Sequence, residues 1–255
     1  MDKHLLYNGE VELVFQEDKH LYTVGGLQVD GVTTVLGVIN KPALMYWAVN
    51  MCLEHISKTL KPGVGLDEVE IKNMLADAKI IHKKKSGEAA DIGTMIHQWL
   101  EEWIAGKKPA TPVNVMMKNA TDKFLEWQKE HKVKFLESEK LVYSKRWGYA
   151  GTLDFMAEID GVVKLGDFKT STGIWDEYWL QVAAYEQAYR EEFPDQEING
   201  SVIVRIGKDA TIEIKERDDY KENVMAFNAA LVLYRKLRKM KDEAYKVKQG
   251  GGVQA

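Results

Sequence analysis

Apolar residues first recur along the chain with the short period of strands. VELVF (11–15) and HLYTV (20–24) read as strands, and Gly25-Gly26 between LYTV and LQV is a two-residue hairpin signal. The pattern then lengthens. Pro42 stands where a helix begins, ALMYWAVNMCLEHISKTL continues it, and KPGVG (61–65) breaks it. Residues 67–84 and 88–105 read as two further helices parted near Ser86-Gly87, the second ended by Gly106 and Pro109. Another helix is expected over 113–131. Strand patterning returns in KFLESEKLVYS, YAGTLDFMAEI and VVKLGDF. A helix follows over 175–192, stopping before Pro194. SVIVRI and TIEIKE form a hairpin around Gly207-Lys208-Asp209, a long helix covers 219–246, and the terminal GGGVQA is expected to be disordered. Helices followed by β-β-β-α-β-β-α predict an α/β (α+β) fold, a mixed central sheet flanked by helices, with an N-terminal β-hairpin and helical extension.

One turn in this pattern has chemical consequences. Asp160-Gly161 joins two strand-like runs, and a two-residue turn there pairs residue 159 with 162. Counting outward sets Asp154 opposite Asp167, with Cβ atoms about 4.5–5.5 Å apart. The strand period puts Lys169 on the same face as Asp167. Two carboxylates held so closely repel, so either one takes a proton or a cation lies between them. Hard oxygen donors favour Mg²⁺ or Mn²⁺, and a neighbouring lysine can stabilise charge that develops on a phosphate. A cross-strand Asp–Lys ion pair with a spare Asp at a sheet edge is the alternative, and spacing alone does not choose between them.

Composition narrows the classes. With 45% hydrophobic and 29% charged residues, the 255-residue chain is ordinary globular material, enough for one large domain or one with an appendage. No apolar run reaches the ~18 residues of a membrane helix, and MDKHLLYNGE lacks a signal-peptide core, so no membrane partner is expected. The single cysteine, Cys52, excludes disulfides and cysteine-ligated clusters within one chain, and points to a reducing cytoplasm. Net charge is −4, which argues against coating nucleic acid by bulk electrostatics while leaving room for local basic grooves. Lysines cluster at 83–85, at 107–108, around 129–134, and at Lys145 with Arg146; solvated helix faces explain any one cluster alone. Phosphate-loop, serine-hydrolase and zincin motifs are missing, and Cys52 with His55 reads as helix packing rather than a zinc site.

The ordered set GYAGTLDF, VVKLGDFKTST (162–172) and QVAAY (181–185), with His97 upstream in GTMIHQWLEEW, resembles the PD-(D/E)XK nuclease superfamily, in its RecB-like exonuclease branch with phage and mitochondrial members. The motifs run from 93 to 185, a little over a third of the chain. The resemblance implies a restriction-endonuclease-like core over 86–248, preceded by a substrate-binding region at 1–85 and followed by a tail at 249–255. It implies His97, Asp154, Asp167 and the Phe168 carbonyl as metal ligands, and Lys169 as the catalytic lysine. Gln181, Tyr185, Thr170, Ser171, Thr172 and Arg146 would meet the DNA backbone or brace the site, and Glu139 would be a supporting acid. The implied activity is Mg²⁺- or Mn²⁺-dependent exonucleolytic hydrolysis of DNA ends or single strands, in recombination, repair or phage DNA processing. DNA would be the partner, together with a single-strand annealing or recombination protein. The lone cysteine excludes the iron–sulfur subfamily of this branch. Two readings stand beside it: a catalytically silent DNA-binding protein of the same fold, and a structure- or site-specific endonuclease. Trp99, Trp103 and Trp147 are read as core residues, with base stacking as the rival role.

Overall fold

The structure, a computed structural model, describes residues 2–250. The protein is a mixed α/β fold built on one nine-stranded mixed sheet with flanking helices. By compactness the chain divides into two units, the larger formed by Met1–Ile39 with Trp99–Ala255 and the smaller by Asn40–Gln98.

The larger unit holds the sheet. Its N-terminal part is an antiparallel meander of β1 (Asp2–Leu6), β2 (Val11–Gln16), β3 (Leu21–Val24) and β4 (Leu27–Gly31). The expected hairpin is its β3–β4 half: Gly25 and Gly26 carry φ of 56° and 79°, the left-handed values a tight primed turn needs. The first strand, DKHLL, was not expected, being too short to show an alternation. Nor was the one-and-a-half-turn helix α1 (Val32–Leu36), whose five residues are too few to show a helical period. After α4 (Val115–Glu130), whose N-cap Asn114 accepts from the Met116 and Met117 amides, come β5 (Lys134–Ser144), β6 (Tyr149–Ile159) and β7 (Val162–Lys169). Then follow α5 (Asp176–Glu192), β8 (Ser201–Ile206), β9 (Ile212–Arg217) and α6 (Tyr220–Gly250). Helix α6 is assigned as far as Gly250, and the rest of the tail expected over 249–255 lies outside the described residues.

Strand β6 organises the sheet. One edge pairs with β5 along its length. The other edge is shared: β4 takes Tyr149 and Ala150 in parallel, and β7 takes Phe155 to Ile159 antiparallel. The residues between, Gly151 to Asp154, lie at a fork where the two partners diverge. Both sheet faces are covered. Alternate residues Leu165, Asp167 and Lys169 face α5, while Gly166 and Phe168 face α4. On the α5 side, Leu153, Leu165, Ile203, Val182, Tyr185 and Phe227 belong to one buried core. On the α4 side, the rings of Phe124, Trp127, Phe135, Phe155 and Phe168 pack with centroids 4.4–6.4 Å apart.

In the smaller unit, α2 (Pro42–Thr59) begins at its proline as expected. The two helices expected over 67–84 and 88–105 are one, α3 (Glu68–Ile104), which continues past the unit boundary. Gly87 costs a helix interior about 1 kcal/mol relative to Ala but does not break it. The Ser86 hydroxyl is satisfied by bonding back to the Lys83 carbonyl at 3.0 Å, and Lys85 pairs with Glu88. Among the described residues, no helix is long and apolar enough to cross a membrane.

Candidate active site

The β6–β7 turn has the geometry its sequence asks for, with φ of 49° at Asp160 and 87° at Gly161. The register follows: Ile159 pairs with Val162, and the ladder runs out to Phe155 with Gly166. Asp154 and Asp167 come next, just past the last rung. There the strands part, and the Asp154 Oδ2 accepts the Phe168 N–H at 2.8 Å. A side chain thus substitutes for a ladder bond at the fork.

Asp167 is fully buried and faces α5. The Lys169 ammonium lies 2.6 Å from its Oδ2. Gln181 spans the pair: its amide nitrogen donates to Asp167 Oδ1 at 2.9 Å, and its oxygen accepts from Lys169 Nζ at 3.1 Å. The same nitrogen donates to the Tyr185 hydroxyl at 2.9 Å, one helical turn on. Only one amide orientation serves an acid and an ammonium at once, so the network fixes Gln181 as it fixes its neighbours. The Tyr185 ring passes over Gly151, where a Cβ would lie 2.4 Å from its Cε1.

Glu139 joins this group from β5. Ser138 pairs with Phe155 and Lys140 with Leu153, which sets Glu139 opposite Asp154. Its backbone is left-handed, φ 46°, an unusual conformation for glutamate. Burial, then the charges of Asp154, Glu101 and Asp167, push its carboxyl up to about 8. Asp154 is likewise raised by burial, partly offset by Lys169 and by the Phe168 N–H. Burial opposes the charge on Lys169, but Asp167 and Asp154 outweigh it and hold the ammonium above its ordinary value. Tyr185 is raised well above its usual range by burial and the two aspartates.

The remaining expected residues are placed less uniformly. Ser171 shapes the loop after β7, donating to the Gly173 carbonyl at 2.8 Å and accepting from the Tyr178 hydroxyl at 3.1 Å. Thr170 and Thr172 flank it, half-buried and exposed. Phe168 puts its side chain into the aromatic core under α4. Arg146 is exposed in the β5–β6 turn, its amide on Glu191 at 3.2 Å; Asp154 lies five residues into β6, roughly 16 Å of strand away. His97 lies half-buried on α3, in the smaller unit. Trp99 is buried, stacked on Trp103 at 5.4 Å, and Trp147 packs against the main core. Among the described residues, no three His, Cys, Asp or Glu side chains are arranged to hold a metal ion. A cavity of about 670 Å³ near Glu186, Arg190 and Tyr220 includes none of the residues of this site.

Sequence reasoning missed three neighbours. The Tyr178 ring lies 4.7 Å from the Lys169 ammonium. It is three residues before Gln181 and seven before Tyr185, so helical spacing carried the signal. Thr152, two residues before Asp154, was available from strand period. Its hydroxyl lies 3.0 Å from that of Tyr22, a buried β3 residue 130 positions away, for which no local pattern exists.

No family model matches the chain, and no curated protein matches it. Among solved structures, LHK-Exo in complex with dAMP is similar at a TM-score of 0.38 and 10% identity, over 81% of this chain and 97% of that one. An alkaline exonuclease, LHK-Exo from Laribacter hongkongensis, gives a TM-score of 0.30 and 12% identity over 76% and 92%. The protein SSO0001 gives 0.31 and 14% over 76% and 87%.

Proposed function

We propose that the larger unit is a metal-dependent deoxyribonuclease, an exonuclease that hydrolyses phosphodiester bonds at DNA ends or in single strands. The observation that carries the reading is the Gln181 network, which locks Asp167 and Lys169 beside Asp154 at the fork of β6. The ordered motifs in the sequence support the same chemistry. His97 belongs to the smaller unit, so the proposal rests on residues of the larger one.

The donor chemistry, carboxylate oxygens, suits a hard divalent cation, although Asp154, Asp167 and Glu139 would have to shift from the arrangement described to hold one. Asp167 is buried and Asp154 half-buried, while Glu139 sits at the exposed rim, its carboxyl pushed up to about 8 by partial burial and by the charges of Asp154, Glu101 and Asp167. In the arrangement described, the Lys169 ammonium is the cation bonded to Asp167. Mg²⁺ or Mn²⁺ would be held by Asp154 and Asp167, with Glu139 and the Phe168 carbonyl as further donors. Such an ion, when bound, would act as a Lewis acid toward the phosphate and lower the pKa of water. The chain does the rest. Lys169, its ammonium held over the Tyr178 ring, would present that charge to the negative charge growing on the phosphate. Gln181 keeps that ammonium and Asp167 from drifting apart. The Phe168 N–H holds Asp154 in one orientation.

The test is cleavage of end-labelled linear DNA, single- and double-stranded, with Mg²⁺ or Mn²⁺. Wild type is expected to shorten it, and Lys169→Ala to be slower by about 10²–10³ or more. Closed circles are expected to survive; their cleavage would make the activity endonucleolytic. Mn²⁺ is expected to raise the melting temperature of wild type and to do so less for Asp154→Asn, a readout independent of turnover. Absence of cleavage on every linear substrate would overturn the proposal.

A further inference from the structure

We infer that Trp175 is a stacking platform for an unpaired base of the bound strand, an inference that rests on the proposed function. Trp175 is 46% exposed, so a face of its indole is open to a ligand; what distinguishes it from the other exposed hydrophobics is where it stands. Its position is not arbitrary. It ends the loop that leaves β7 at Lys169, and it caps the start of α5, the helix that carries Gln181.

The path from the Lys169 ammonium to the indole is continuous. The ammonium lies over the Tyr178 ring at 4.7 Å. The Tyr178 hydroxyl donates to Ser171 Oγ at 3.1 Å, and Ser171 Oγ donates to the Gly173 carbonyl at 2.8 Å. An Arg205 guanidinium nitrogen, from β8, reaches the Ser171 carbonyl at 3.4 Å. The Trp175 ring lies against Gly173, where a Cβ would stand 3.6 Å from the indole Cη2 and Cζ2. The Trp175 carbonyl also accepts the Tyr178 N–H at 3.1 Å, closing the first turn of α5.

These contacts give the indole a fixed mount beside the proposed reacting phosphate, with Thr170 and Thr172 between. A flat, partly exposed π-face on a rigid loop accepts any nucleobase, because stacking reads no hydrogen-bond pattern. A duplex hides its base faces, so the ligand is a single strand or a frayed end.

The test is a double-mutant cycle on affinity, read by fluorescence anisotropy of a labelled single-stranded oligonucleotide in Ca²⁺. Trp175→Ala is expected to bind about tenfold more weakly and Trp175→Phe to recover most of the loss. Moving one abasic nucleotide along the oligonucleotide is expected to weaken wild type by a similar factor at one position, and to have no such effect on Trp175→Ala. The melting temperature of Trp175→Ala is expected to match wild type, which separates stacking from misfolding. Equal affinity for wild type and Trp175→Ala, or an abasic penalty that persists in the variant, would overturn the inference. Because binding is read without turnover, either result stands apart from whether wild type cleaves DNA.

Discussion

Gly151 shows how much of this site depends on a missing atom. The Tyr185 ring is buried and fills the place where a Cβ would stand, 2.4 Å from its Cε1. The ring has no open space to retreat into, so Gly151→Ala must move it, and Tyr185 is where Gln181 rests its third hydrogen bond. The expected result is a loss of about 1–3 kcal/mol in chemical denaturation, with a fall in DNA cleavage rate per folded molecule. Unchanged cleavage by folded variant would detach Tyr185 from the chemistry. At this scale the sequence was readable wherever a short-range rule applied. The Asp160-Gly161 turn set the register that brings Asp154 beside Asp167, and strand period gave Lys169 its face. Glu139 was legible as an acid but not as Asp154's neighbour, since that register is set by the four-residue connection between Ser144 and Tyr149, which carries no two-residue turn signal to count from. Tyr22 was illegible, because its contact with Thr152 is made by tertiary folding alone.

Among elements, the fork of β6 needs its two partners held apart, and Asp30 anchors one of them. This β4 residue pairs with Tyr149 and has a side chain only 6% exposed. Arg235 donates to it at 2.7 Å and also to the Gly148 carbonyl at 2.9 Å, and Arg238 donates to its other oxygen. One buried carboxylate thus ties α6 to the N-terminal end of β6. Asp30→Ala is expected to cost about 3 kcal/mol or somewhat less, since two guanidiniums lose their partner but stay partly in water. Arg238→Ala, whose side chain is 49% exposed, is expected to cost under about 1 kcal/mol. Equal losses in urea denaturation would contradict this account. The elements themselves were largely visible, since period, turn residues and Pro42 locate most strands and helices. The split expected at Ser86-Gly87 failed because glycine weakens a helix without ending one. The meander's first strand escaped because its five residues carry no alternation. That it lines up in the same sheet as β6 is a long-range fact, expressed in just two rungs between β4 and β6.

Across the whole molecule, burial is distributed unevenly, and that sets where the protein opens first. Strands β6, β7 and β8 lie between two layers of packed side chains, with Leu153, Phe155, Leu165 and Ile203 fully buried. Helix α2 is the opposite case. None of its residues is buried, and Leu44, Met45, Tyr46, Val49 and Leu53 are all more than half exposed. No side chain caps its N-terminus, and its Lys58–Glu54 pair is exposed and contributes little. An isolated helix of this length is marginal in water, because nucleation is costly and propagation returns little per residue. Local opening of α2 is therefore expected to cost far less than global unfolding, which for a domain is about 5–15 kcal/mol. Hydrogen–deuterium exchange read peptide by peptide should show α2 exchanging close to the rate of an unstructured chain, while β6, β7 and β8 stay protected to near the global limit. The apolar row on α2 gives the experiment its second edge. Protection of α2 equal to that of the central strands would mean that something covers Leu44, Tyr46 and Leu53 in solution. If that cover is a second copy of the chain, the protection should fall on dilution, and it would then measure the association directly.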